Sequence, residues 1–308
     1  MSQAPAVLGA LAPIFLLILL GFAARRCGFL PDAFWAPAER LTYYVLFPAL
    51  IVDSLARADL AGLAFGPVAA ALTGPILAAA ALLAVLRRRF GLDGPAFTSV
   101  LQGAIRPNTY VGIAAARALF GAPGLATLAV GLATVVPLVN VLSVVALQRH
   151  GDARVGRGLS GVLPGIVRNP IILAVAAGGA ANLAGAGALP VVAPTLRILG
   201  EASLTLGLLA VGAGLVPSSV GASGRDILLA GGLKLAAVPL ATALAGRLLG
   251  LDGMTLAVAV LFNALPASAS SYILARQMGG DHRLMAGIIT GQTVAAALTL
   301  PLALALLA

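Results

Sequence analysis

Two stretches of the 308-residue sequence set polar side chains beside a proline in the middle of apolar runs. The first reads Arg106-Pro107-Asn108-Thr109-Tyr110, and the second runs from Asn263 through Pro266 to Ser268, Ser270 and Ser271. Proline has no N–H to donate and its ring clashes with the preceding turn, so a helix carrying it exposes backbone groups that hydrocarbon cannot satisfy. The Asn and Ser residues alongside can bond those groups or a solute. A half-helix restarting after the break also points its N–H groups and positive dipole end into the gap, which favours an anion. Arg106 adds a full positive charge. An arginine at the bilayer centre costs about 2.5–3.5 kcal/mol on insertion scales, so it needs a watery cavity or a partner. The expected binding residues are therefore Arg106, Asn108, Thr109, Tyr110, Asn263, Ser268, Ser270 and Ser271, with Pro107 and Pro266 as the helix breaks.

Four further residues are candidates for coupling or for shaping the field: Lys234, the only lysine, and Asp53, Glu201 and Gln292. Each has a plainer reading. Lys234 can snorkel to an interface, Asp53 and Glu201 can be interfacial acids or partners of Arg106, and Gln292 can join helices, as Asn140 can. The chemistry on offer is binding, not bond-making. Cys27 is the single cysteine, His150 and His282 sit in charged connectors, and the acids are isolated. No metal or other cofactor is expected. A membrane transferase, which needs clustered carboxylates around a metal, is disfavoured, and the protein is read as no enzyme.

The elements that must hold these residues are membrane helices. The chain is 60% hydrophobic and 9% charged with a mean hydropathy of +1.06, whereas soluble domains carry roughly 25% charged residues. Apolar runs fall at 6–24, 41–57, 63–86, 96–119, 124–147, 162–185, 189–216, 226–249, 254–275 and 284–307, ten in all. The net charge of +9 comes from scattered arginines, which argues for topology signals and against nucleic acid. No Lys or Arg precedes the first run while Arg25 and Arg26 follow it, so it reads as a retained helix. Ten crossings with an outside start put thirteen arginines on the cytoplasmic side, against Arg57, Arg117, Arg197 and Arg247 opposite. That bias predicts a multi-pass inner-membrane protein with both termini extracytoplasmic.

The chain also matches itself. Gly91-Leu92-Asp93-Gly94 recurs as Gly250-Leu251-Asp252-Gly253, and the register continues through Pro107 with Pro266 and Arg117 with Arg276. Chance matching in an Ala-, Leu- and Gly-rich chain is the competing explanation. Residues 1–147 and 162–308, joined by a cytoplasmic connector at 148–161, then form two five-helix repeats. An odd number of crossings inverts the second copy, the plan of alternating-access carriers. The expected fold is an all-α integral membrane protein of ten helices in two inverted repeats, with broken fourth and ninth helices.

Several segments together resemble the auxin efflux carrier family, which includes plant auxin exporters and bacterial malonate and malate permease-like proteins. They are Tyr43 to Leu50, Pro107 to Ile113, Arg168 to Ile172, Leu208 to Leu215 and Leu265 to Arg276. The resemblance implies scaffold and transporter domains, a homodimer, fourth and ninth helices crossing at the substrate site, and small organic anions as substrates. Two departures stand out. Ala114 and Ser271 occupy positions where plant members have a further proline, and the third run has no acid near Lys234. The leading expectation is a secondary active transporter that moves a carboxylate or dicarboxylate across the bilayer by alternating access, with proton or sodium coupling open. The alternatives are a sodium-coupled symporter of the bile-acid type and a non-transporting sensor or scaffold.

Overall fold

A computed structural model describes residues 4–58, 64–152, 169–185, 189–220 and 223–308, with side chains from Val7 onward. The connector from 153 to 161 and the start of the sixth apolar run lie outside the described residues. Regular structure among the described residues is helical throughout. Six stretches are long and apolar enough to cross a membrane: Val7–Arg26, Phe65–Leu86, Thr109–His150, Val192–Ala213, Gly224–Leu248 and His282–Leu307. The runs at 96–119 and 254–275 are divided at their proline breaks, and the described part of the sixth run is the short helix Pro170–Leu183.

In chain order the helices are α1 Ala4–Arg26, α2 Asp32–Leu41, α3 Phe47–Ala56, α4 Phe65–Leu86, α5 Gly94–Ile105, α6 Thr109–His150 and α7 Pro170–Leu183. The rest are α8 Val192–Ala213, α9 Gly224–Gly232, α10 Val238–Leu248, α11 Gly253–Ala264, α12 Ser270–Met278 and α13 His282–Leu307. Helix α6 breaks at Gly121, whose φ of +63° and ψ of −147° suit glycine alone.

Two π-helical turns have a common cause. Thr42–Leu46 joins α2 to α3 and Leu233–Ala237 joins α9 to α10, and each lies just ahead of a proline, Pro48 or Pro239. A proline cannot donate to the carbonyl four residues back and pushes it away. The turn widens, and the preceding residue donates five back instead, Phe47 to Thr42 and Val238 to Leu233. The wide turns carry Tyr43 and Tyr44 in one case and Lys234 in the other. The first of them also corrects a boundary. Helical backbone begins at Asp32, ahead of the apolar run at 41, because Asp32–Leu41 is amphipathic and buries Trp35 and Ala38.

Helix packing sorts the elements into two groups that mix the halves of the sequence. Helices α1, α3, α7 and α8 pack on one another, while α4, α5, α6, α10, α11 and α13 form the second group. Close approach holds the first group together. A Cβ at Gly212 would lie 1.8 Å from the Ile18 carbonyl oxygen, and one at Gly21 would lie 2.0 Å from that of Leu209. Only hydrogen fits between α1 and α8, and the contact depends on small residues. On α1, Leu11, Ile14 and Ile18 face this interior while Leu16, Leu19 and Leu20 face outward.

Candidate functional site

The two proline-bearing stretches are where α5 and α11 stop. Arg106 is extended at φ −89° and ψ 114°, and Leu265 at φ −61° and ψ 143°. The breaks meet. Pro107 and Ala267 form an antiparallel bridge, and the Asn108 N–H donates to the Pro266 carbonyl at 2.8 Å.

The carbonyl freed by Pro107 is satisfied from within the chain. Position 107 would normally donate to the Gly103 carbonyl, and Pro107 cannot. Gln292 supplies the missing donor, its Nε2 reaching the Gly103 oxygen at 3.0 Å, while its Oε1 accepts from the Ala267 N–H at 2.9 Å. One fully buried amide on α13 therefore ties both breaks together. Asn108 acts next. Its Oδ1 accepts from the N–H groups of Tyr110 and Val111 at 3.1 and 3.3 Å, capping α6. This corrects the expectation that the restarting half-helix presents free N–H groups to an anion: at α6 the Asn108 side chain holds two of them.

Beside the breaks lies a cavity of about 460 Å³. Its walls come from α2 and the first π turn (Glu39, Arg40, Tyr43, Tyr44), the breaks (Arg106, Thr109, Tyr110, Ser268, Ser270), the second part of α6 (Asn140) and the start of α7 (Asn169). It thus sits where the two packing groups face each other. Tyr110 is set by stacking on Phe47 of α3, with ring centroids 4.6 Å apart and planes within 9°. Asn169 is set by capping α7, accepting from Ile171 and Ile172.

Arg106 is the electrostatic centre of this wall. It is 8% exposed, and its guanidinium donates to Asn140 Oδ1 at 2.8 Å, Ser270 Oγ at 3.0 Å and, more weakly, Ser143 Oγ at 3.4 Å. Its Nε has no partner among the described residues. All these partners are neutral. The charge is held by side chains from two helices, α6 and α12, and forms no ion pair with a carboxylate among the described residues, an arrangement that suits an anionic guest able to take a bidentate bond.

Of the residues singled out in the sequence, Arg106, Pro107, Thr109, Tyr110, Ser268 and Ser270 line the cavity. The others have different surroundings. Asn108 caps its helix, Pro266 accepts from Asn108, and Asn263 donates to the Leu72 carbonyl at 3.1 Å and to Thr242 Oγ1 at 2.7 Å. Ser271 is fully buried and its hydroxyl has no partner among the described residues. Gln292 joins the breaks, Lys234 is wholly buried with no partner for Nζ among the described residues, and neither reaches the cavity. Asp53 pairs with Arg57 one turn on, so it is no partner of Arg106, and Glu201 is exposed on α8.

The cavity is also lined by Glu39, Tyr43, Tyr44 and Asn169, which the sequence does not single out as site residues, and by Asn140, whose plainer reading is joining helices. Tyr43 stands four residues after Glu39, on the same helical face, which was the available signal. It was obscured because Glu39 lies just ahead of the apolar run.

Comparison with known proteins points to membrane transport. Residues 161–304 match the model of a family described as membrane transport protein. The chain is also similar to a protein of Methanothermobacter thermautotrophicus described as an uncharacterized transporter, with 29% identity over 295 residues, covering 94% of each chain.

Proposed function

From the premise that the chain is a multi-pass membrane transport protein of the auxin efflux carrier family, we propose that it is a secondary carrier for a small organic anion, a carboxylate or dicarboxylate. The observation that carries this reading is Arg106: a buried guanidinium, fixed by neutral partners, beside a cavity lined by hydroxyls and amides. A carboxylate seated there gains a charge-assisted hydrogen bond and replaces the water that a lone buried charge requires.

Alternating access follows from the location. The cavity separates two helix groups, and rocking one against the other would carry a solute from one membrane face to the other. The paired breaks, in repeat register and bridged in space, support ten spans in two inverted repeats. The arginine bias supports an inner-membrane protein with both termini extracytoplasmic, and the family supports a homodimer.

A thermal-shift screen of the purified protein against malonate, malate and aromatic monocarboxylates tests the reading, since a ligand that binds only the folded state raises the melting temperature by mass action. At least one acid is expected to raise it for the wild type and not for Arg106→Ala. Equal shifts in both would overturn the assignment.

A further inference from the structure

The anion cavity contains a carboxylate of its own. Glu39 is half-buried on the cavity wall, in the same enclosure as Arg106, and makes no ion pair or side-chain hydrogen bond among the described residues. Among the described residues the other ionisable groups on the cavity wall are Arg40, Tyr43, Tyr44, Arg106 and Tyr110. Arg106 is already committed to Asn140, Ser143 and Ser270, and Arg40 is exposed. On α8, which packs against α2, the ionisable residues are Arg197 and Glu201, and both are exposed. Among the described residues no histidine lines the cavity.

A site meant for an anion gains nothing from a fixed negative charge on its wall. A carboxylate that shares an enclosure with another carboxylate favours its protonated form, because like charges at short range cannot both remain ionised cheaply. Binding the anion therefore draws a proton onto the wall. By reciprocity, a proton on the wall tightens anion binding by the same factor.

We propose that Glu39 is the proton-binding residue of this carrier and that the protein moves a proton together with its anion, a role that rests on the anion-transport reading of the cavity. With Glu39 protonated, the cavity presents a net positive wall and takes the anion. With Glu39 ionised, its charge offsets that of Arg106 and the anion is held weakly. Releasing the anion on the far side frees Glu39 to release its proton there. Nothing else is consumed: one proton and one anion enter at one face and leave at the other.

Proteoliposomes test this with radiolabelled malonate and radiolabelled malate as probes, for the wild type and Glu39→Gln. Gln keeps the size and polarity of Glu and cannot ionise. For the wild type, an inward proton gradient is expected to drive uptake above the equilibrium level. Uptake without a gradient should fall as pH rises, approaching tenfold per unit well above the pKa of Glu39. For Glu39→Gln, the gradient should produce no accumulation, and gradient-free uptake should be flat with pH apart from the acid's own ionisation, which affects both proteins equally. Gradient-driven accumulation by Glu39→Gln, or a wild type indifferent to the gradient while it transports, would overturn the proton role and leave the anion reading standing. Absence of uptake by the wild type at every pH would overturn the anion reading and this proposal with it. Proton uptake by purified wild type on adding malonate, followed with a pH indicator dye, gives a second readout that Glu39→Gln should lack.

Discussion

Gln292 donates to the Gly103 carbonyl at 3.0 Å, and Gly103 is the residue whose carbonyl Pro107 deprives of its helical donor. The amide stands in for a missing backbone N–H and, through its other end, holds Ala267 in the opposite break. The breaks are thus a built junction, and its strength depends on one side chain from a third helix.

Gln292→Leu removes both bonds and leaves two buried backbone groups unsatisfied, at about 1–3 kcal/mol each. A melting temperature lowered by several degrees in detergent is expected. Gln292→Glu adds a pH test with a definite sign. An ionised Glu cannot donate to the Gly103 carbonyl, whereas a protonated one can, so this variant should regain stability as pH falls while Gln292→Leu should not. Scanning calorimetry across pH separates them.

Asn108 caps α6 and has Nδ2 without a partner among the described residues. Asn108→Asp keeps the accepting oxygen and should melt close to the wild type, while Asn108→Ala should lose about 1 kcal/mol. Thermal melts of the pair distinguish a cap from a side chain needed for another reason.

The Gly212 contact with Ile18 leaves no room for a methyl group. Gly212→Ala must force α1 and α8 apart, and overpacking of this kind costs about 1–3 kcal/mol. Gly9, which has open space around its Cβ position, serves as the control, and Gly9→Ala should melt like the wild type.

Asn140 and Ser270 hold the two ends of the Arg106 fork. Removing one partner loosens the guanidinium without removing its charge. Asn140→Ala and Ser270→Ala should therefore each weaken anion binding by less than Arg106→Ala does. Calorimetric titration with the acid that gives the largest thermal shift ranks the three variants.

How much of this was legible in the sequence depends on what each residue interacts with. Helical membrane segments follow from composition, because a chain this apolar must satisfy its backbone internally. Pro107 and Pro266 announce that carbonyls will be orphaned. Nothing local says who rescues them, because Gln292 is 189 residues from Gly103 and comes near it only when α13 packs on α5. Asn263 and Ser271 illustrate the opposite limit. Both look like cavity residues by spacing, yet helix rotation turns Asn263 toward Leu72 and Thr242 and buries Ser271 away from the cavity. Glu39 is hidden by a boundary: helix α2 lies ahead of the apolar run that starts at 41 and carries a carboxylate onto the cavity wall.

Uptake of radiolabelled malonate or malate into proteoliposomes tests most directly the proposal that Arg106 holds the transported anion. The wild type should take up at least one of the acids with saturation, Arg106→Ala should lose that uptake, and Arg106→Lys, which keeps the charge but cannot span Asn140 and Ser270, should retain only a small part of it. Uptake by Arg106→Ala equal to that of the wild type would contradict the account.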